Sequence, residues 1–208
     1  MNIRSQESAV RSQQPPGQKA GSARPPRAWL AALLLLLAVA ASSVGAAENQ
    51  AALKRQMQEF ERVLSVTLGH MFQQQPFVVL QEPKAAYLPG FGVVAHTELN
   101  LYPLRWLFPF STEKYSEQEL RTEREQKLLR LRELEKQLRE LLLAQSAALT
   151  QLGPDESMAV IIHLYNPRPY PDIPNQVVMQ GRRQSLAELQ GRKPSPAELA
   201  RVITLREF

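Results

Sequence analysis

The sequence predicts an α+β domain: a small mixed or antiparallel sheet of about four strands, packed by an N-terminal helix and one long amphipathic helix. Three observations carry this expectation. Residues 49–72 repeat apolar side chains at three- and four-residue steps; a longer stretch beginning at Ser116 does the same; and short alternating or β-branched runs bounded by Pro and Gly lie between and after them.

Ahead of that domain stands Ala28–Ala47, AWLAALLLLLAVAASSVGAA, with no charged residue. Its apolar core of about 14 residues has the length of an export-signal h-region. Arg24 and Arg27 precede it, which favours insertion with the N-terminus inside. Val44-Gly45-Ala46 offers small residues for processing, so cleavage near Ala46 is the preferred reading. An uncleaved inner-membrane anchor over 28–47 is the alternative, since that span just crosses a hydrocarbon layer of about 30 Å. Either way residues 48–208 form one domain outside the cytoplasm, periplasmic or extracellular. Residues 1–27, polar and rich in Pro and Arg, form a disordered basic n-region.

The chain carries 25 basic and 20 acidic residues. Five of the basic ones (Arg4, Arg11, Lys19, Arg24, Arg27) and one acid (Glu7) precede the apolar segment, leaving 20 against 19. The basicity is therefore a targeting feature, and a nucleic-acid partner is not expected. The absence of cysteine removes disulfides, thiol nucleophiles, lipidation at a processing-site cysteine and thiolate metal sites together. A remaining chain of about 160 residues is long enough for an ordinary hydrophobic core.

In chain order, Leu53, Met57, Phe60, Leu64, Leu68 and Phe72 form one helical stripe, ended by Gln73-Gln74-Gln75-Pro76. His70, near that end, reads as a solvated residue favoured by the helix dipole. Phe77–Gln81 is a short strand with a turn at Glu82-Pro83. Gly92–Leu101 alternates, with Val93, Ala95, Thr97, Leu99 and Leu101 on one face and Val94, His96, Glu98 and Asn100 on the other. Gly90-Phe91-Gly92 opens a strand and lacks a third glycine, so it is no dinucleotide loop. LYPLRWLFPF over 101–110 is broken by Pro103 and Pro109; its Trp106-Leu107-Phe108 either packs under the sheet or forms an exposed partner site.

Ser116 and Glu119 have capping-box spacing and start the long helix, which runs to Leu152 and stops at Gly153-Pro154. Leu131, Leu134, Leu138 and Leu141 follow a coiled-coil step, but Arg124 and Lys127 interrupt the register upstream. The helix is expected to lie on the sheet with its charged N-terminal half projecting; homo-oligomerisation through it, as a hairpin with 49–72, is the competing reading. Met158–Tyr165 reads as a central strand buried on both faces. The four prolines between Asn166 and Asn175 dictate an extended loop, after which Gln176–Gln180 pairs back as a strand. A helical turn over Ser185–Gln190, a helix opening at Ser195-Pro196, and a terminal strand Val202–Phe208 complete the chain.

Chemistry is sparse. With three histidines, the best constellation is His96 and Glu98 on one strand face with His163 on another strand, the residue types of a hydrolytic His/His/carboxylate metal site. His163 shares its strand face with Ala159, Ile161 and Tyr165, the setting of a core histidine. No Gly-x-Ser-x-Gly elbow is present. Arg182-Arg183 and Arg192-Lys193 form a modest basic cluster read as solvated surface. No catalytic residue is assigned and no cofactor or metal is expected.

YLPGFGVVAHTELNL (87–101), HLYNPRPYPDIPNQVVMQ (163–180) and the terminal ITLREF together resemble a group of exported bacterial proteins of unknown function, which share an aromatic-Leu-x-Gly-aromatic-Gly strand. The resemblance implies export and leaves activity open. The expected function is that of a non-enzymatic envelope protein that binds a protein partner through its long helix or Pro/aromatic loops, touching the membrane only through its N-terminal segment. A metal-dependent hydrolase using His96, Glu98 and His163 is the alternative.

Overall fold

The computed structural model describes residues 27–71, 78–104, 114–192 and 194–208, with side chains in the first helix from residue 48 onward. The n-region, the side chains of the leader, Phe72 and the aromatic Trp106-Leu107-Phe108 lie outside the described residues. The chain divides into two compact units, Met1–Val44 and Gly45–Phe208, and the sheet belongs to the second. The elements are α1 (Arg27–Met71), β1 (Val78–Leu88), β2 (Gly92–Asn100), α2 (Glu117–Gln145), β3 (Ser157–Leu164), β4 (Gln176–Arg182), α3 (Arg183–Ala187), α4 (Pro196–Val202) and β5 (Ile203–Glu207). Among the described residues no helix is long and apolar enough to cross a membrane.

The sheet is mixed and has five strands in sequence order, β1-β2-β3-β4-β5, one more than expected. All neighbours are antiparallel except β2 and β3, whose parallel pairing requires the long crossover that carries α2. The additional strand length comes from β1. Instead of turning at Glu82-Pro83, the chain continues to Leu88 through register shifts between Val79 and Gln81 and between Gln81 and Lys84. Proline is tolerated there because β1 is an edge strand and Pro83 sits in the irregularity, where no ladder hydrogen bond is demanded of it. Glu61 of α1 accepts a 2.7 Å hydrogen bond from the Ala85 N–H, and Ser65 donates to Glu82 at 2.9 Å, so the bulged edge is fastened to the helix beneath it.

Gly90 and Gly92 have different tasks. Gly90 takes φ 81° in the β1–β2 turn. Gly92 combines φ 124° with so close an approach to β3 that a Cβ would lie 2.0 Å from the Ser157 carbonyl oxygen. The glycine pair thus serves strand pairing, in keeping with its reading as a strand opening.

One face of the sheet holds the core. Val93, Ala95, Leu99, Met158, Val160, Ile162, Val177 and Met179 meet Phe60, Leu64 and Leu68 of α1 and Leu131, Leu134, Leu138, Leu141 and Leu142 of α2 in a single cluster. Each such side chain contributes about 1.5–3 kcal/mol on burial. The alternation read for β2 is borne out, down to the buried Thr97, whose hydroxyl donates to the Gln81 carbonyl at 2.5 Å. Central β3, third of five strands, is buried on both faces over its first half: Met158, Val160, Ile162 and Leu164 enter the core and Ser157 and Ala159 are buried on the other face, but Ile161 is half-buried there and His163 is exposed. It is therefore no core histidine. His70 is exposed in the last turn of α1.

The capping box at Ser116 and Glu119 is formed in both directions, at 3.2 and 2.7 Å. The helix, however, ends at Gln145 rather than Leu152. Gln190, from a distant segment, donates to the carbonyls of Leu143 (2.9 Å) and Ala144 (3.1 Å), satisfying groups that another helical turn would have capped. The following turns bury Leu149 and Leu152 in the core. A second capping box, Ser195 with Glu198, starts α4 with Pro196 in its first turn.

Candidate functional site

Register places a second set of side chains on the sheet face turned away from the helices. His96 stands level with Lys84 of β1, Ile161 of β3, Val178 of β4 and Arg206 of β5. Glu98 stands level with Gln81, His163 and Gln176, and Phe208 exchanges two backbone hydrogen bonds with Gln176 at the corner. Val94, Ala159, Gln180 and Thr204 form the adjoining row with Ala86. Every buried apolar residue of the described helices belongs to the core on the other side, so no described helix covers this face. At these ladder positions Lys84, Arg182 and Arg206 are cationic and Glu98 is the one acid among those described.

The three residues picked out for metal chemistry all fall here. Glu98 is paired directly with His163, and His96 is offset by one outward position, a diagonal of about 8 Å between Cα atoms on a flat sheet. His163 has a 3.5 Å contact with the Gln176 amide. Side chains on a flat face stand parallel instead of converging, and among the described residues no group of three or more His, Asp or Glu is placed to hold a metal ion.

Of the elements expected to offer a partner surface, α2 and the Pro-rich loop 166–175 are engaged within the chain, and Trp106-Leu107-Phe108 lies outside the described residues. The leucine stripe of α2 is buried in the core, leaving Leu129 as its exposed large apolar residue. The N-terminal half of α2 does not project: Glu123 and Lys127, each with 1% side-chain exposure, form a 2.9 Å ion pair one turn apart. Arg168 donates to both Glu123 oxygens at 3.2 Å, Tyr170 donates its hydroxyl to Glu123 at 2.8 Å, and Lys127 donates to Asn166 at 3.1 Å. Arg124 and Asp172 add a two-bond exposed pair, and the Arg168 guanidinium lies 4.6 Å from the Tyr115 ring centre. These contacts pin the Pro-rich loop 166–175 to α2. Burial acts to raise the Glu123 carboxyl, but hydrogen bonds from Arg168, Lys127 and Tyr170 outweigh it and hold it below the ordinary carboxylate value. Burial, with Glu123 beside it, pushes the Tyr170 hydroxyl up.

Compared with protein-family models, curated proteins and solved structures, the chain matches none.

Two concavities lie among the described residues. One, of about 530 Å³ between α2 and α4, has an apolar floor of Pro194, Pro196 and Leu199 and a rim of Lys136, Arg139 and Glu140. Both rim cations have partners, Lys136 with Glu133 at 3.8 Å and Arg139 with Glu135 at 3.5 Å. The other, of about 340 Å³, lies where β4 meets β5 and is lined by Gln180, Arg182, Ser185, Arg201 and Thr204 around Gly181 and Val202. The alternation of β4 in the sequence places Gln180 and Arg182 on one face, but only the β4–β5 register brings Arg201 and Thr204 beside them.

Proposed function

We propose that this chain is an exported, non-enzymatic binding module of the cell envelope, delivered by Ala28–Ala47 and binding an acidic protein through the open face of its sheet. The observation that carries the reading is the one-sided packing: the helices bury one face, and the other presents an apolar centre of Val94, Ile161 and Val178 between Lys84 and Arg206. Charge selects the partner. With cations at both edges and Glu98 as the described acid, a second copy laid on this face would oppose like charges, whereas an acidic surface would complement them.

The test places a photo-crosslinking residue at Ile161 or Val178 of the full chain in its native cell, with Leu129 on α2 as the control position. An adduct with an acidic protein, formed from the sheet positions, absent from position 129 and lost on Lys84→Glu with Arg206→Glu, is expected. Equal adducts from both faces, or adducts that survive charge reversal, refute it. Recovery of the intact chain, first Met included, in the cytosol refutes export.

A further inference from the structure

We infer that the corner where β4 meets β5 is a binding site for a tetrahedral oxyanion of the phosphate class. The site goes beyond the module reading and stands on the cavity itself. Five of its lining side chains are polar, Gln180, Arg182, Ser185, Arg201 and Thr204, and no carboxylate lines it. Two guanidinium forks, two hydroxyls and an amide supply donors from several directions. That suits an anion with oxygens pointing tetrahedrally better than a planar carboxylate, which two arginines would saturate.

Arg182 and Arg201 hold no carboxylate within 4.0 Å among the described residues, unlike Arg62, Arg121 and Arg124. The exposed Arg55, Arg132, Arg192 and Arg206 hold none either, so it is the shared cavity that sets this pair apart. The nearest competitor for Arg201 is Glu198 on the same helix. Its carboxylate is occupied by the Ser195 N–H at 2.8 Å and hydroxyl at 2.9 Å in the cap of α4. The cavity of about 340 Å³ lies at the small end of ligand sites, which span about 300–1,000 Å³, and admits a phosphoryl group with part of its carrier. Gly181, between the outward positions Gln180 and Arg182, turns the other way: a Cβ there would come within 3.0 Å of the Val202 carbonyl and of the Leu186 side chain, so close packing beneath β4 fixes the backbone from which Gln180 and Arg182 project. The larger concavity by α4 fails the same comparison, because its cations are already neutralised.

Equilibrium dialysis of the full chain against radiolabelled inorganic phosphate at low ionic strength tests the site, with the same measurement on Arg182→Gln/Arg201→Gln and on the control pair Arg55→Gln/Arg132→Gln, two exposed helix arginines away from the cavity and the sheet face. One phosphate per chain is expected, displaced by sulfate and not by equal acetate. Its affinity should fall by at least about tenfold in the Arg182/Arg201 variant and by far less in the control. Competition then identifies the carrier: displacement by glycerol phosphate marks a soluble phosphoester, and displacement by phosphatidylglycerol vesicles but not phosphatidylcholine vesicles marks a lipid headgroup. Absence of binding, equal binding by the Arg182/Arg201 variant, or equal competition by acetate overturns the inference. Both arginines are exposed and outside the core, so a coincident thermal transition certifies the variant's fold.

Discussion

Replacing Glu135 by Gln should stabilise the protein above neutral pH and leave it unchanged in acid. Glu135 lies on α2 with 15% of its side chain exposed, beside Glu207 of β5 and 3.5 Å from Arg139. Burial first, and then the neighbouring Glu207 carboxyl, push its carboxyl from 4.5 up to about 7 against the weaker pull of Arg139. A carboxyl displaced that far corresponds to about 3 kcal/mol. Because the neighbouring Glu207 is exposed to solvent, about 1–2 kcal/mol is expected after screening. The sign follows from proton binding. Between pH 4.5 and about 7 the folded chain keeps a proton that the unfolded chain has released, so stability falls as pH rises through that window and is flat above it. Urea unfolding of Glu135→Gln should coincide with wild type at pH 4 and gain about 1–2 kcal/mol at pH 8. Glu207→Gln should give a smaller gain, since burial of Glu135 remains, and the double variant little more than Glu135→Gln alone. A Glu135→Gln variant no more stable than wild type at pH 8 refutes the reading of Glu135 as a buried carboxyl held protonated.

Three further outcomes test the fold. Gly92→Ala should cost about 3 kcal/mol or more in urea unfolding, because it adds both backbone strain and a collision with Ser157, whereas Gly90→Ala, with open space around it, should cost about 1 kcal/mol. Glu123→Ala should cost about 3–5 kcal/mol by stranding the buried Lys127, whereas Arg124→Ala, which removes an exposed pair, should leave the urea midpoint nearly unchanged. The Glu123 contribution is complete above the ordinary carboxylate value and lost as acid protonates it, the opposite slope to Glu135, so acid unfolding of Glu123→Ala should be blunted. Leu138→Ala should cost about 2–5 kcal/mol and Leu129→Ala under about 0.5 kcal/mol, with light scattering unchanged in both.

The elements legible in the sequence are those whose signal is local. The β2 alternation, the capping boxes at Ser116 and Ser195 and the stripe Phe60-Leu64-Leu68 each state their own structure within a turn or two. Misreadings arose where a remote partner decides. Pro83 reads as a turn until an edge strand and Glu61 accommodate it; α2 reads as running to Leu152 until Gln190 caps its carbonyls; Lys127 reads as solvent-facing until Arg168 and Tyr170 surround Glu123. The same limit applies to function. The outward alternation of His96 and Glu98 was visible, and their adjacency to His163 depended on a strand order that only the fold supplies. The cavity joining Arg182 to Arg201 depends likewise on the β4–β5 pairing.

A sheet face that no described helix covers is a hazard unless the chain prevents indiscriminate pairing, and the way this chain does so bears on its use. The edge at β1 is blunted by two register shifts and a buried Pro83, and the opposite edge, β5, is five residues long and ends in Arg206 and Glu207. Those devices act on the edges, where strands from other copies would add, and leave the apolar centre of the face alone. Had the face served only to meet water, Ile161 and Val178 could be polar at no cost to the core, since neither belongs to it. On the proposed reading, a face guarded at its rims and apolar in its middle suits a partner that approaches from above, and Lys84 and Arg206 are the charges such a partner would have to complement.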